Sequence, residues 1–115
     1  MPKATKAAST LASNPKQIEL YANILKAMGH PSRLAFLEAL ADGERCVCEL
    51  QEMVGADMST VSRHLSVLKN AGLVESERRG TQMMYSLTCP CIIDFLHCIG
   101  AVIERNAATI AQALR

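Results

Sequence analysis

One stretch constrains this chain more than any other: CVCELQEMVGADMSTVSRHLSVLKNAGLVESERRGTQMMY, from Cys46 to Tyr85. It reads as a short helix, a tight turn at Gly55, a second helix and a basic hairpin, with two thiols at its front edge. Asp57 can cap the second helix, while Val61, Leu65 and Leu68 recur at the i, i+4, i+7 spacing of a buried stripe. The other face is short and polar. Ser59, Thr60, Ser62, Arg63 and His64 crowd its first turns, the part of a groove-bound helix that reaches the base edges of DNA. Gly72 is expected to end this helix, and Leu73 and Val74 open an extended segment. That segment runs to Arg79, turns around Gly80 and returns from Gln82 to Leu87.

Upstream, residues 1–14 (MPKATKAASTLASN) are small, polar and basic with no periodic apolar face, and are expected to form a flexible arm before a single domain over 15–115. A first helix begins near Pro15 and carries Ile18, Tyr21, Ala22, Ile24, Leu25 and Met28. Gly29, His30 and Pro31 break the chain. Ser32 opens a second helix along Leu34, Phe36, Leu37 and Leu40, which Asp42 and Gly43 end. His30 has no partner at metal-binding spacing and is read as structural. The third helix, Cys48 to Val54, is expected to pack through Leu50 and Met53. Beyond the hairpin a last helix runs from about Pro90 to Leu114. Its stripe of Ile92, Phe95, Leu96, Ile99, Val102, Ile103, Ile110 and Leu114 is too broad for one small core. The excess predicts a homodimer through the first and last helices.

A chain of 115 residues with hydrophobic residues at 50% makes one small domain, burying roughly two-thirds of its unfolded surface. With no Trp, two Phe and two Tyr, its core must be aliphatic and Met-rich. A net charge of +1 cannot carry an argument for nucleic acid. A local patch can, and Arg63, His64, Lys69, Arg78 and Arg79 supply one. Arg78 and Arg79 flank a Gly turn, where a long basic side chain can follow a phosphate backbone or enter the minor groove, although Glu75 and Glu77 dilute the charge. No apolar run reaches the length of a membrane span and the N-terminus lacks a signal-peptide core, so a cytoplasmic protein is expected. Five cysteines, an odd count, point to ligation or redox sensing rather than a disulfide framework.

Four segments, LKAMGHPSRLAFLEAL at 25–40, CVCEL at 46–50, STVSRHLSVLKNAGLV at 59–74 and RRGTQMMYSL at 78–87, closely resemble the arsenic-repressor (ArsR/SmtB) family of bacterial regulators, over most of the chain from Leu20 onward. The resemblance implies a mainly α winged helix-turn-helix with a small β-hairpin wing, in which a short strand at 44–46 pairs with the returning wing strand. It also implies a homodimer whose two recognition helices reach half-sites of a near-palindromic operator about one helical turn apart. In that family a thiol pair such as CVC, at the start of the first helix of the helix-turn-helix, marks sensors of thiophilic ions.

Soft thiolates select As(III), Sb(III), Cd(II), Pb(II), Zn(II) or Cu(I). Within one regular helix Cys46 and Cys48 would point about 200° apart, so they can share an ion only if the helix begins between or after them, or unwinds. Cys89 and Cys91, flanking Pro90, form a second pair that the extended residue before proline can bring together. They are candidates for completing the Cys46 and Cys48 site, on the expectation that the returning strand ends on the same side of the fold as the strand before Cys46. The third ligand stays unassigned. Cys98, about 10 Å along a helix from Cys91, cannot share an ion with it within one helix; it is read as a core thiol, with a contribution to a site across the dimer axis as the alternative. Three thiolates suit As(III); four suit Cd(II), Pb(II) or Zn(II). Some cadmium and lead sensors of the family carry extra cysteines near the N-terminus, and none precedes Cys46 here. The family's zinc site on the last helix finds only a partial echo in Asp94, His97 and Glu104.

The expected function is therefore a repressor released from its operator by arsenite or antimonite. The alternatives are a redox or persulfide sensor using the same cysteines, or a Cd(II), Pb(II) or Zn(II) sensor. No enzyme is expected, since neither CVC nor CPC is a CxxC motif and no βαβ pattern accompanies them.

Overall fold

The computed structural model describes residues 14–115, and the expected arm over residues 1–13 lies outside them. Asn14, counted with that arm in the sequence, instead caps the first helix: its side-chain oxygen accepts the Gln17 N–H at 3.3 Å. Helix α1 spans Pro15–Met28, with proline in the opening turn where its missing N–H is no loss. His30 starts the next helix in the same manner, its Nδ1 accepting the Ser32 N–H at 3.0 Å, and α2 runs Pro31–Ala39 into a 3-10 turn at Leu40–Asp42. Strand β1 (Arg45–Cys46), helix α3 (Val47–Val54) and helix α4 (Met58–Asn70) follow. The hairpin is β2 (Val74–Arg79) and β3 (Gln82–Leu87), and α5 (Ile92–Ala113) closes the chain.

The end of α4 shows how local chemistry aims the wing. Gly72, at φ 81, takes the left-handed position after the helix. Its N–H reaches the Lys69 carbonyl at 2.9 Å, and the Leu73 N–H reaches that of Leu68 at 3.0 Å. This is the paired bonding of a Schellman motif, with Leu73 and Leu68 both buried in the core behind it. The chain leaves directly into β2. A two-residue loop, Gly80 and Thr81, joins β2 to β3, with positive φ only at its first position as in a II′ hairpin turn.

The sheet order is β1-β3-β2, antiparallel throughout, with Cys46 opposite Met84 and Arg45 opposite Tyr85. Pairing of the short strand with the returning wing strand is thus as expected. Phe36, Leu37, Leu50, Val61, Leu65, Leu68 and Val74 form the innermost core, an aliphatic cluster with a single ring. Among the described residues no helix is long and apolar enough to cross a membrane.

Three expectations about packing need correction. Met53 does not pack inward; it is 52% exposed. The buried stripe of the two-turn α3 runs Val47, Leu50, Val54, and Met53 falls off its edge. Leu34 of α2 is likewise exposed. On α5, which begins at Ile92 rather than Pro90, the one buried residue is Ile93, which the expected stripe left out. Most of that stripe lies open: Phe95, Ile99, Val102, Ile103, Ile110 and Leu114 are exposed, as are Ile18, Leu20, Tyr21, Ile24 and Leu25 of α1. Between them Tyr21, Ile24, Leu25, Met28, Ile92 and Phe95 line an apolar groove of about 330 Å³.

Candidate nucleic-acid interface and thiol sites

Helix α4 is two-sided. Val61, Leu65 and Leu68 are fully buried, anchoring it against α2 and α3, while Ser59, Ser62 and Arg63 are exposed and Thr60 is half-buried. Asp57 stands at the cap position, but its carboxylate takes the Ser59 hydroxyl at 2.6 Å. The Ser59 hydroxyl, then that of Thr60, hold the Asp57 carboxyl below its ordinary range. Arg63 leans on the Thr60 hydroxyl at 3.5 Å, leaving most of its guanidinium free.

His64 does not join this outward face. Its ring packs on that of His30 with centroids 4.1 Å apart, and Arg33 Nη1 of α2 donates to its Nδ1 at 3.2 Å. The helix turns His64 toward α2 because the ring falls next to the buried stripe, where His30 and Arg33 accept it. Burial pushes the His64 pKa down, and the nearby charges of His30, Arg33 and Arg63 add to that. A group harder to protonate in the fold than in the open chain contributes stability above its ordinary value of 6.5, and that stability fades as the pH falls below it. The thermal midpoint is therefore expected to drop below about pH 6.5. His64→Gln should flatten that slope in a pH series of melts, and an unchanged slope would place the sensitivity elsewhere.

The wing separates its two arginines. In β2, Glu77 and Arg79 share one face, and Ser76 and Arg78 the other. Arg79 is bound bidentately by the Glu44 carboxylate, with 2.9 Å between Nη2 and Oε2, and by Glu77 at 3.2 Å. The Glu44 carboxylate, then Glu77, raise its pKa. Arg79, expected on phosphate, is thus already neutralised. Ser76 accepts from Lys69 Nζ at 2.7 Å, tying the end of α4 to the wing face that also carries Arg78. Among the described residues no ion pair involves Arg63, Lys69 or Arg78. The cationic surface is therefore these three with the hydroxyls of α4. Glu44 and Arg33 are positioning residues that sequence reasoning missed, because their partners lie far away in the chain, whereas His30 has the structural role read for it.

The thiols form two separate pairs. Cys46 is the last residue of β1 and the cap of α3, and Cys48 lies in its first turn, so the helix begins between them. The Glu49 carboxylate accepts the Cys46 N–H at 3.0 Å and pairs with Arg45 at 3.5 Å, while the Cys46 thiol faces the Glu49 N–H, a capping box. Cys48 is exposed, whereas Cys46 is only 5% exposed. The adjacent Cys48 thiol, ahead of burial, pushes the Cys46 thiol up.

Cys89 and Cys91 sit in the turn between β3 and α5 with their sulfurs 3.4 Å apart, both exposed. The register separates the two pairs. Cys46 lies opposite Met84, and β1 is antiparallel to β3, so the run from Met84 to the end of β3 at Leu87 alone carries the chain about 10 Å from Cys46 before the turn that holds Cys89. The returning strand does run past Arg45 toward the start of β1, the side of the strand before Cys46, and this carries the chain away from Cys46 rather than back to it. Cys98 is exposed, not a core thiol, because Ile93 takes the inward position on α5. His97 lies 3.3 Å from Glu38 of α2, and among the described residues no three His, Cys, Asp or Glu side chains are grouped to hold a metal.

The profile described as "Bacterial regulatory protein, arsR family" matches residues 30–76. The chain is 38% identical over 88 residues to the HTH-type transcriptional regulator Rv0081 of Mycobacterium tuberculosis, across 76% of this chain and 77% of that one. It is 40% identical over 73 residues to the biofilm growth-associated repressor of Xylella fastidiosa, across 64% of each. The crystal structure of Rv0081 superposes with a TM-score of 0.75 at 34% identity, covering 85% of this chain and 98% of that one. The homodimeric winged helix-turn-helix DNA-binding domain Mb0332 of Mycobacterium bovis gives 0.69 at 30%, covering 78% and 83%.

Proposed function

The chain belongs to the arsR family of bacterial regulatory proteins, and from that premise we propose that it is a homodimeric repressor that leaves operator DNA on capturing arsenite or antimonite. The observation that carries the DNA reading is the two-sidedness of α4. A fully buried Val61, Leu65, Leu68 stripe fixes its orientation, and the opposite face presents Ser59, Thr60, Ser62 and Arg63 as one outward strip. Arg78 and Lys69 extend that strip toward the phosphates on either side. Arg79 belongs to it only after release from Glu44, and His64 supports the helix from behind.

Two copies are needed because one chain leaves the apolar faces of α1 and α5 uncovered, and a two-fold pairing closes them. The Mycobacterium bovis relative is described as homodimeric, and the Xylella fastidiosa relative as a repressor.

Effector capture is assigned to Cys46 and Cys48. The condition that the helix begin between them is met, and Cys46 joins the sheet to the helix-turn-helix. An ion drawing on both thiolates competes for the Cys46 sulfur that now faces the Glu49 N–H, and so strains the capping box with Glu49. The remaining ligand positions are left to groups outside the one chain. A swing from 1:99 to 99:1 in DNA occupancy requires the ion to favour the released form by about 5.5 kcal/mol.

The test is anisotropy of labelled operator-like DNA on reduced, metal-free protein, titrated in parallel with arsenite, cadmium and zinc at one stated salt concentration. Release by near-stoichiometric arsenite is expected. Release by cadmium or zinc alone moves the effector to a divalent metal, and release by peroxide or persulfide alone, in a chelated sample, makes the thiols a redox switch.

A further inference from the structure

We propose that Cys89 and Cys91 form a second, self-contained site for a trivalent arsenic or antimony centre, independent of Cys46 and Cys48. It rests on the thiophilic-ion reading for the class of ligand and on local geometry for its existence. The turn Thr88–Cys91 leaves β3 and enters α5 with both sulfurs on one side, exposed and 3.4 Å apart. The bonds of the Ile92, Ile93 and Asp94 N–H groups to the Cys89, Pro90 and Cys91 carbonyls, at 3.0 to 3.1 Å, brace this turn from the helix side. Proline between the two cysteines removes one backbone freedom from it.

The spacing selects among ions. Two sulfurs 3.4 Å apart, each bonded at about 2.3 Å to one centre, subtend an angle of about 95° there. A tetrahedral ion asks for about 109°, which opens the same pair to about 3.8 Å. Zinc and cadmium ask for further protein ligands that the turn does not group with the pair, whereas a pyramidal three-coordinate centre with a lone pair can be held by two thiols at this spacing, which suits trivalent arsenic or antimony. Its third valence goes to a group from solution, since Cys98 is two turns along α5 and no third His, Cys, Asp or Glu is grouped with the pair among the described residues. The Cys91 thiol is held above its usual range by the Cys89 thiol beside it, with the charge of Asp94 adding least. In condensation with an arsenic–oxygen bond each thiol hands its own proton to the departing oxygen.

The probe is phenylarsine oxide, which consumes two thiols and releases one water: the arsenic–oxygen bond is lost, two arsenic–sulfur bonds form, and the arsenic stays trivalent. The protein is the full chain with Cys46→Ser and Cys48→Ser, reduced, in excess glutathione so that single-cysteine adducts are displaced. We expect one arsenic per chain by intact mass and loss of two of the three remaining thiols in a thiol count. Adding Cys89→Ser or Cys91→Ser should weaken binding at least tenfold, and adding Cys98→Ser should leave it unchanged. No adduct in the Cys46→Ser, Cys48→Ser chain overturns the proposal, as does an adduct that survives Cys89→Ser but disappears with Cys98→Ser. Operator binding by the same samples reads the repressor assignment separately, so loss of either result leaves the other standing.

Discussion

Replacing Cys46 and Cys48 together by serine is expected to leave operator affinity within about twofold of the parent and to abolish release by stoichiometric arsenite. The first half follows from the position of Cys46. Serine is a favoured helix cap, and with Glu49 three residues on it rebuilds the same reciprocal pair of bonds that Cys46 makes, so α3 starts where it did. Cys48 is exposed and its loss removes no core contact. The second half follows from chemistry: a hydroxyl is no ligand for a soft ion at neutral pH, so without the thiolates an ion has no means to supply the roughly 5.5 kcal/mol that a full swing in occupancy requires. Anisotropy on labelled operator, with arsenite from sub-stoichiometric to tenfold excess, reads both halves. Release at the parent's arsenite level would transfer sensing to Cys89 and Cys91. A route exists for that outcome, because Thr88 beside them clasps the exit of α4, its hydroxyl donating to the Gly72 carbonyl at 2.5 Å and its N–H to that of Leu73 at 3.1 Å.

How far the sequence carried can be judged from individual residues. The bounds of β2 and β3, the Gly72 stop and the Val61, Leu65, Leu68 stripe were legible because each is written in local chemistry: a turn glycine, a period of 3.6, a cap. His64 was not. Its neighbours Arg63 and Leu65 face out and in, and a residue between them can go either way. What decides is Arg33, 31 residues earlier. Arg79 is the same case, since its charge is cancelled by Glu44, 35 residues away. The CVC and CPC pairs were each visible, but the distance between them depends on a strand register that pairs Cys46 with Met84, and nothing in the spacing of the cysteines encodes it. Met53 and Ile93 failed for a simpler reason. On a two-turn helix, or at the first turn of a long one, too few apolar positions exist for periodicity to tell the centre of a stripe from its edge.

Arg63→Ala should weaken operator binding by about 1–3 kcal/mol, and Arg79→Ala by much less, although both remove one positive charge from the same surface. Arg63 stands on the exposed face of α4 with only a long bond to Thr60 to give up, so its guanidinium is available to a base edge or a phosphate at little cost. Arg79 must first leave a bidentate carboxylate and a second glutamate, both at the exposed surface, which offsets most of what a phosphate contact returns. The two substitutions also differ in their dependence on salt. Losing a phosphate contact reduces the slope of log affinity against log salt by about 0.9, whereas losing a base contact lowers affinity at every salt concentration and relaxes sequence preference at one position. Binding isotherms for both variants at three salt concentrations, on cognate and scrambled duplexes, separate these cases. Arg63→Ala with unchanged affinity would remove α4 as the reading helix. Arg79→Ala as damaging as Arg63→Ala would mean that the Glu44 latch opens on DNA, and Glu44→Gln, which frees the same arginine, should then bind tighter than the parent.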